Sequence, residues 1–306
     1  MNHFISLHDI EPARILALLD EADALKADLK AGRPHPLLPG KTLAMIFSKS
    51  STRTRVSFEV GMYQLGGHAL YLNAGDIQLG RGEPIPDTAG VLSRMVDGIM
   101  IRTYSHQDVM DLARWGTIPV INGLTDLHHP CQILSDLMTV RERKAGQLQG
   151  LRMAYVGDGN NVANSLLHGC AKVGMDIAIA TPEGFECDAT SIAEAMEDAA
   201  RSGSRITLTH DPREAVEHAD AVYTDTWISM GQEAEKERKM IPFKGFIVDA
   251  ALMSLARHDA IFLHCLPAYR GYEVSADVID GSQSAVYDQA ENRLHAQKAV
   301  LASLLA

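Results

Sequence analysis

The chain has 306 residues, enough for about two domains, and its formal net charge of −11 argues against a general nucleic-acid surface. The N-terminus lacks the basic and apolar segments of a secretory signal, and no apolar run approaches the roughly 18 residues of a membrane span. Because the four cysteines are scattered without CxxC spacing, we expect a reduced cytoplasmic protein with no membrane partner, disulfide framework or structural metal site.

The first part of the chain alternates between predicted helices and apolar strands. Apolar residues recur at helical spacing over residues 15–29, with Asp9 as the predicted N-cap and Gly32 as the stop. The elements predicted after this helix are a strand at 41–47, a helix from Thr52, strands at 98–104 and 119–124, and a long helix at 129–146.

A second series of apolar runs follows residue 150. These runs are nearly continuous rather than alternating, as expected for parallel strands that are covered on both faces. The predicted strands lie at 151–156, 175–180, 205–209, 221–224, 246–252 and 260–263, and a final amphipathic helix lies at 290–305. The pattern predicts an α/β protein with two domains, each built on a parallel sheet and joined near residues 125–150.

Polar groups follow several of these predicted strands. Ligands in open α/β sheets bind beyond the carboxyl ends of the strands, so such groups are candidate site residues. They are SSTRTR (50–55), Arg102, GDGNN (157–161), DTWISMG (225–231) and HCLP (264–267), with HHPCQ (128–132) close behind another strand. Their coincidence indicates a ligand site more strongly than any one motif does.

The SSTRTR segment has the chemistry of a phosphate site. Hydroxyl groups, a guanidinium fork from Arg53 and the free N–H groups of a helix starting near Thr52 all suit phosphate oxygens. The alternative is that Ser51 or Thr52 only caps the helix and that the arginines are solvated. A GxxxxGK[ST] loop is absent, which argues against ATP or GTP.

The GDGNNV segment is a poor dinucleotide motif. Val162 replaces the third glycine, and the next strand ends at Thr181 without an acid to hold a ribose hydroxyl, so an NAD-dependent oxidoreductase is disfavoured. Asn160 and Asn161 suit a small polar substrate instead. For Asn160 an alternative remains, a turn residue that tolerates left-handed geometry.

His129 and Gln132 are spaced to share one face at a helix start, where they could address a carbonyl oxygen and an amide NH₂. A metal role for His129 would need further regularly spaced ligands, and none is evident. Cys265 is followed by Pro267 rather than placed beside a basic partner, which favours a positional or proton-handling role over covalent catalysis.

The segments SSTRTRVSFE, HHPCQILSDL, DTWISMG and HCLP, in this order, resemble the aspartate/ornithine carbamoyltransferase family over essentially the whole chain. SMG and HCLP resemble its ornithine branch. The resemblance implies transfer of a carbamoyl group from carbamoyl phosphate to the δ-amine of L-ornithine, giving citrulline and phosphate in arginine metabolism. Both arginine biosynthesis and the recovery of carbamoyl phosphate would use the same site, so the sequence leaves the direction open. It also implies no metal or organic cofactor and a homotrimer or an assembly of trimers. Putrescine or N-acetylornithine is the alternative acceptor.

The resemblance further implies a C-terminal helix that returns to the N-terminal domain. The expected domains are a carbamoyl-phosphate-binding domain of residues 1–130 with 290–306 and an ornithine-binding domain of residues 131–289. The charged segment 232–239 after SMG would suit a mobile lid or, equally, a solvated surface helix. A non-catalytic relative should have lost polar residues at the strand ends, and this chain keeps them.

The resemblance assigns roles to individual residues. The implied carbamoyl-phosphate contacts are Ser51, Thr52, Arg53, Thr54, Gln78 of a neighbouring subunit, Arg102, His129, Gln132, Cys265, the carbonyl of Leu266, and Arg293. The implied ornithine contacts are Asn161, Asp225, Ser229 and Met230. The implied catalytic residues are Arg53, Arg102, His129, Asp225 and Cys265.

Overall fold

The structure is a computed structural model that describes residues 1–228 and 236–306. Within those ranges the chain forms twelve α-helices and nine β-strands. Packing divides it into two compact units, Met1–Met138 with Glu291–Ala306, and Thr139–Ala290. The boundary expected from the sequence lies at residue 130, between a domain that binds carbamoyl phosphate and one that binds ornithine. That boundary stays a prediction.

The first unit is built on a parallel sheet of four strands. The strands are β1 (Thr42–Phe47), β2 (His68–Asn73), β3 (Gly98–Arg102) and β4 (Val120–Leu124). The helices are α1 (Pro12–Lys30), α2 (Thr52–Gln64), α3 (Ile85–Leu92), α4 (His106–Trp115) and the start of α5 (Pro130–Arg143), with a short 3₁₀ helix at Gln78–Arg81. The strand order is β2-β1-β3-β4.

The second unit has a parallel sheet of five strands. The strands are β5 (Arg152–Val156), β6 (Asp176–Ala180), β7 (Ile206–Thr209), β8 (Ala221–Tyr223) and β9 (Ile261–Leu263), in the order β7-β6-β5-β8-β9. The helices are α6 (Asn161–Val173), α7 (Ala189–Ser202), α8 (Pro212–Val216), α9 (Lys236–Met240), α10 (Ala250–Met253) and α11 (Ala276–Ile279). The final helix, α12 (Val286–Leu305), belongs to the first unit from Glu291 onward.

The predicted fold class is confirmed: two parallel-sheet domains flanked by helices, with a C-terminal helix that returns to the N-terminal unit. In the second sheet, β5, β8 and β9 are buried almost throughout, as their nearly continuous apolar runs predicted. The central strands β1 and β3 of the first sheet are buried to a similar extent. In the described part of the chain, no helix combines the length and the apolar character that a bilayer crossing requires.

Three local expectations were wrong or missing. The predicted strand at 246–252 is instead an isolated bridge at Val248 followed by α10, because the Asp249 carboxylate caps that helix by accepting from Leu252 N at 2.8 Å. The first helix is capped at Glu11, not at Asp9, since Pro12 presets the first helical residue. Strand β2 was not predicted, because it is an edge strand whose residues are mostly exposed.

The two sheets each have one point where the chain reverses its direction of winding. In the first sheet that point lies between the adjacent strands β1 and β3, and in the second it lies between β5 and β8. Connections leave the carboxyl ends of these strands in opposite directions and open a crevice, which is where ligands bind in this architecture. In the first sheet, SSTRTR follows β1 and Arg102 is the last residue of β3. In the second sheet, GDGNN follows β5 and Asp225 follows β8.

Candidate active site

The SSTRTR segment forms the start of helix α2. Ser51 is the N-cap, with an extended backbone and a hydroxyl that accepts from Thr54 N at 3.2 Å, and the helix begins at Thr52 as predicted. The capping role given to Ser51 as the plainer alternative is therefore correct. This cap engages the N–H group of Thr54. The other N–H groups of the first helical turn lie near the end of β1, where they can donate to a bound anion.

Thr54 is the point at which several polar groups of the first unit converge. Its side chain is fully buried, and its hydroxyl accepts from Arg293 Nη2 at 3.0 Å and from Arg102 Nη1 at 3.4 Å. Both guanidinium groups are buried and carry the same charge. Like charges held together away from water favour a bound anion, because it offsets both their repulsion and their lost hydration.

His129 lies in the field of the same cations. Burial and the positive charges of Arg293, Arg102 and Arg53 lower the pKa of His129 well below its ordinary value. The imidazole is therefore neutral at physiological pH. A neutral imidazole polarises a carbonyl oxygen by donating a hydrogen bond, without adding another positive charge to the site.

The His129→Gln variant is expected to lose part of the pH dependence of folding stability. The folded protein keeps His129 unprotonated, whereas the unfolded chain protonates it near pH 6.5, the ordinary pKa of the side chain. The stabilisation is therefore complete above about pH 7 and falls as the pH drops through 6.5, because only the unfolded state takes up the proton.

Urea unfolding between about pH 5 and pH 7 measures this effect. The free energy of unfolding of the unchanged protein should fall more steeply than that of the variant, by up to about 1.4 kcal/mol per pH unit. Parallel curves would contradict a neutral buried imidazole at this position.

Gln132 presents an acceptor in the first unit. Its side chain is buried, and its amide nitrogen donates to Asp136 Oδ1 at 2.8 Å. With the nitrogen engaged, the amide oxygen has no hydrogen-bond partner among the residues that the structure describes. A buried acceptor without a partner is destabilising by about 1–3 kcal/mol, so this oxygen suits a ligand NH₂ group.

Cys131, beside Gln132, has a different character. Burial raises the pKa of its thiol to about 12, and the thiol donates to the Asn122 carbonyl at 3.3 Å. A thiol held in this way is a packing residue and not a nucleophile.

Lys49 was missed by the sequence analysis, although it stands next to the SSTRTR segment. It is buried, forms an ion pair with Asp126 and lies 4.1 Å from the centre of the Tyr104 ring. The Asp126 backbone N–H also donates to the Tyr104 carbonyl at 2.9 Å. These contacts join the segments that follow β1, β3 and β4, and so fix the carboxyl edge of the sheet.

In the second unit, polar groups gather around Asp225 at the end of β8. Its Oδ1 accepts from Thr226 N at 2.8 Å and from the Cys265 thiol at 3.0 Å. Its Oδ2 accepts from Asn160 Nδ2 at 2.8 Å. The carboxylate is buried and held through both oxygens, which is the condition for a group that orients a substrate.

The GDGNN and HCLP segments contribute further polar groups to the second unit. Asn160 is the N-cap of α6 with φ −85° and ψ −171°, so the left-handed alternative for this residue is wrong, and Asn161 is the first helical residue. Leu266 has a left-handed backbone with φ 58°. A branched residue rarely adopts that conformation, and such strain is typical of functional sites.

Asp225, His264 and Cys265 place ligand atoms within 4.8 Å of one another, a spacing that metal ligands also show. In this structure the same atoms have protein partners. Cys265 donates to Asp225, His264 Nδ1 accepts from Leu266 N at 2.9 Å, and His264 Nε2 lies 3.3 Å from Glu273.

The remaining candidate residues are placed as follows. Gln78 is exposed at the start of the 3₁₀ helix after β2. Arg55 is exposed, pairs with Glu59 at 3.0 Å and lies 3.9 Å from the centre of the Tyr71 ring. Ser229, Met230 and the first part of the predicted lid, 232–235, lie outside the described residues.

Comparisons with known proteins identify the family of the chain. The family model for the aspartate/ornithine carbamoyltransferase carbamoyl-P binding domain matches residues 2–142, and the model for the Asp/Orn binding domain of that family matches residues 149–304. The chain is 59% identical over 302 residues to the ornithine carbamoyltransferase of Carboxydothermus hydrogenoformans, covering 99% of this chain and 97% of the relative.

Solved structures give the same result. The ornithine carbamoyltransferase from Pyrococcus furiosus superposes with a TM-score of 0.96 at 56% identity, covering 99% of this chain and 97% of the other. The anabolic ornithine carbamoyltransferase from Campylobacter jejuni has a TM-score of 0.93 at 45% identity, covering 99% of each chain. With both domain models matched in order and relatives similar from end to end, the chain belongs to the aspartate/ornithine carbamoyltransferase family.

Proposed function

We propose that this protein is an enzyme that transfers the carbamoyl group of carbamoyl phosphate to the δ-amine of L-ornithine, forming L-citrulline and phosphate. The observation that carries the proposal is the convergence of Arg102 and Arg293 on the buried Thr54 hydroxyl, beside a neutral His129. Such a cluster suits a dianionic phosphate joined to a polarisable carbonyl, and carbamoyl phosphate has both groups.

In the proposed carbamoyl-phosphate site, the first turn of α2 binds the phosphate through Ser51, Thr52, Arg53 and Thr54, with Arg102 as a further cation. His129, Arg102 and Thr54 contact the carbamoyl oxygen, where negative charge develops as the amine adds to the carbon, and Arg293 lies near the carbamoyl group. Each well-placed donor to such an oxyanion contributes on the order of 3 kcal/mol. The amide oxygen of Gln132 accepts from the carbamoyl NH₂, and the proposed further contacts of the carbamoyl group are Cys265 and the Leu266 carbonyl.

In the proposed ornithine site, Asp225 and Cys265 lie near the δ-amine, and Asn161, Ser229 and Met230 contact the α-amino and α-carboxylate groups. The neutral amine attacks the carbamoyl carbon, the bond from that carbon to the phosphate oxygen breaks, and the proton lost by the amine leaves to phosphate or solvent. Holding the amine in line contributes more than strong basicity does, because bound reactants no longer need to meet by diffusion. The proposed reaction requires no metal or organic cofactor.

The two proposed sites correspond to two proposed domains. Residues 1–130 with 290–306 bind carbamoyl phosphate, and residues 131–289 bind ornithine. The matched family models support the order of the two domains but not these bounds, since their descriptions name carbamoyl-P binding for residues 2–142 and Asp/Orn binding for residues 149–304.

The acceptor is tested by measuring initial rates with carbamoyl phosphate and four amines. Ornithine is expected to give the highest kcat/KM, ahead of putrescine, N-acetylornithine and aspartate, with citrulline as the product. Putrescine lacks the α-carboxylate and N-acetylornithine lacks a free α-amine, so each loses a charged contact of about 1.5–3 kcal/mol. A preference for any of the other three amines would overturn ornithine as the substrate.

We further propose a cytoplasmic enzyme of arginine biosynthesis. The relatives from Pyrococcus furiosus and Campylobacter jejuni are both named anabolic, which supports this direction.

The proposed assembly is a homotrimer or a set of trimers, with Gln78 reaching a neighbouring site. Helix α2 packs against the edge strand β2, and this face exposes apolar side chains. Tyr63 is 81% exposed and Val56 is 51% exposed on α2, and Tyr71, whose ring contacts Arg55 of α2, is exposed on β2. Exposed apolar residues grouped beside an unpaired strand edge favour contact with another chain.

The Tyr63→Glu variant is expected to shift native mass measurements from a trimer toward a monomer and to lower activity. A buried carboxylate in an apolar interface is strongly disfavoured. Tyr287→Glu is the matched control, because Tyr287 is 76% exposed and belongs to α12, which is not one of the two elements of this face, and it should keep the trimer. A monomeric unchanged protein with full activity would contradict the proposed assembly.

A further inference from the structure

Asn160 stands directly behind the carboxylate that the proposed function assigns to the substrate amine. Its amide nitrogen donates to Asp225 Oδ2 at 2.8 Å. Its amide oxygen accepts from Val162 N at 3.0 Å and from Ala163 N at 3.1 Å, which makes it the N-cap of α6. One side chain therefore serves two elements of the second unit, a helix start and the end of strand β8.

The helix cap determines which end of the amide faces Asp225. Backbone N–H groups only donate, so the group that meets Val162 and Ala163 must be the oxygen. The NH₂ group is then directed to the carboxylate, and a flipped amide would lose all three hydrogen bonds. The cap thus fixes the orientation of a donor that a freely rotating side chain would present only part of the time.

The backbone of Asn160 is fixed as well. Its N–H donates to the Asp158 carbonyl at 2.7 Å, and the same carbonyl accepts from the Tyr155 hydroxyl at 2.8 Å. The Asp158 carboxylate forms a buried ion pair with Lys239 Nζ at 2.6 Å. The turn that carries Asn160 is therefore held by contacts that are independent of the hydrogen bond to Asp225.

Asp225 needs this donor to keep one orientation. Thr226 N and the Cys265 thiol hold Oδ1, and Asn160 is the side chain that donates to Oδ2. Without it, the carboxylate could turn about the bond to its Cβ, and a buried oxygen would lose a charge-assisted hydrogen bond.

We propose that Asn160 is a positioning residue for the ornithine site: it sets the plane of the Asp225 carboxylate and thereby aligns that group with the substrate amine. Asn160 acts through Asp225 and does not contact the reacting atoms. The inference rests on the proposed function, which gives Asp225 its role.

Two substitutions separate positioning from helix capping. Serine and aspartate both cap helices about as well as asparagine, so α6 keeps its cap in Asn160→Ser and Asn160→Asp, and any fall in melting temperature reports the changed contact with Asp225. Serine is too short to reach Asp225, and aspartate places a second carboxylate against it. The kcat/KM for ornithine should fall by about 10- to 100-fold in Asn160→Ser and further in Asn160→Asp.

The KM for carbamoyl phosphate should stay within about twofold in both variants, since the residues proposed to bind its phosphate all belong to the first unit. Asp211→Ala is the matched control for a lost cap. Asp211 caps α8 in the same unit by accepting from Arg213 N at 2.9 Å. This variant should lower the melting temperature and leave the kcat/KM for ornithine unchanged.

A crystal structure of the Asn160→Ser variant tests the role of Asn160 separately from the identity of the substrate. A rotated or doubly occupied Asp225 carboxylate would support positioning even if another amine proved to be the substrate. A single, unchanged conformer, or an unchanged kcat/KM for ornithine in both variants, would overturn it. If the unchanged protein formed no citrulline, the proposed function would fail, and the crystal structure alone would decide the role of Asn160.

Discussion

Replacing Arg53 with alanine is expected to lower kcat/KM for carbamoyl phosphate by about 10²- to 10⁴-fold. Arg53 is the second residue of α2, at the helix end that favours anions, and its guanidinium can bind two phosphate oxygens at once. It is only partly buried, so its removal leaves no core cavity. The melting temperature should therefore change little, and steady-state kinetics with thermal unfolding measure both parts of the expectation.

Arg55→Ala provides the matched control, since it removes the same charge two residues further along the same helix. Arg55 is exposed, and its guanidinium contacts Glu59 and the Tyr71 ring. Exposed pairs of this kind contribute about 0–1 kcal/mol to stability. The kcat/KM of this variant should stay within a few-fold of the unchanged protein, and equal losses in both variants would contradict a specific phosphate contact.

Replacing Asp225 with asparagine is expected to lower kcat/KM for ornithine by about 10²- to 10³-fold. The substitution keeps the shape of the side chain and removes the negative charge that attracts the substrate amine. An amide NH₂ in the place of Oδ2 would also meet the NH₂ of Asn160, and in the place of Oδ1 it would meet the N–H of Thr226. Two donors therefore face each other in either orientation of the new amide. The lost charge and this mismatch together account for a loss of this size.

Asp220→Asn is the control for this second variant. Asp220 is also buried and lies just before β8, whereas Asp225 lies just after it. Its carboxylate accepts from Arg152 N at 2.8 Å and pairs with Arg257 Nε at 3.1 Å, at the opposite edge of the sheet. This variant should lose stability and keep its KM for ornithine. A similar rise in KM for both variants would mean that Asp225 acts only through folding.

Much of the fold was predictable because buried parallel strands have a strong pattern. The apolar run ending at Phe47 and the helix starting at Thr52 both lie where the sequence placed them. Strand β2 escaped prediction although HALYLN contains a short apolar run at 69–72, because that run lies in an edge strand whose residues are mostly exposed. The error at 246–252 arose because capping by Asp249 outweighed the β propensity around it.

The site residues that lie at strand ends were predictable from the sequence. Contacts between residues that are far apart in the sequence were not. Arg102 ends β3 as expected, but nothing in the local pattern shows that Arg293, on the last helix, donates to Thr54. That proximity entered only through the family resemblance. The role of Asn160 was equally hidden, because it depends on Asp225 and on an amide orientation that only three-dimensional hydrogen bonding defines.

Transfer of the carbamoyl group to the δ-nitrogen of ornithine is tested most directly by following the carbon and the nitrogen that become bonded. The enzyme is supplied with ¹³C-labelled carbamoyl phosphate and with ornithine carrying ¹⁵N only at the δ position, and the product is observed by ¹³C NMR. A ureido carbon signal split by one-bond coupling to ¹⁵N is expected, with no such splitting when only the α-nitrogen is labelled. An unsplit product signal with δ-labelled ornithine, or splitting with the α label, would contradict it.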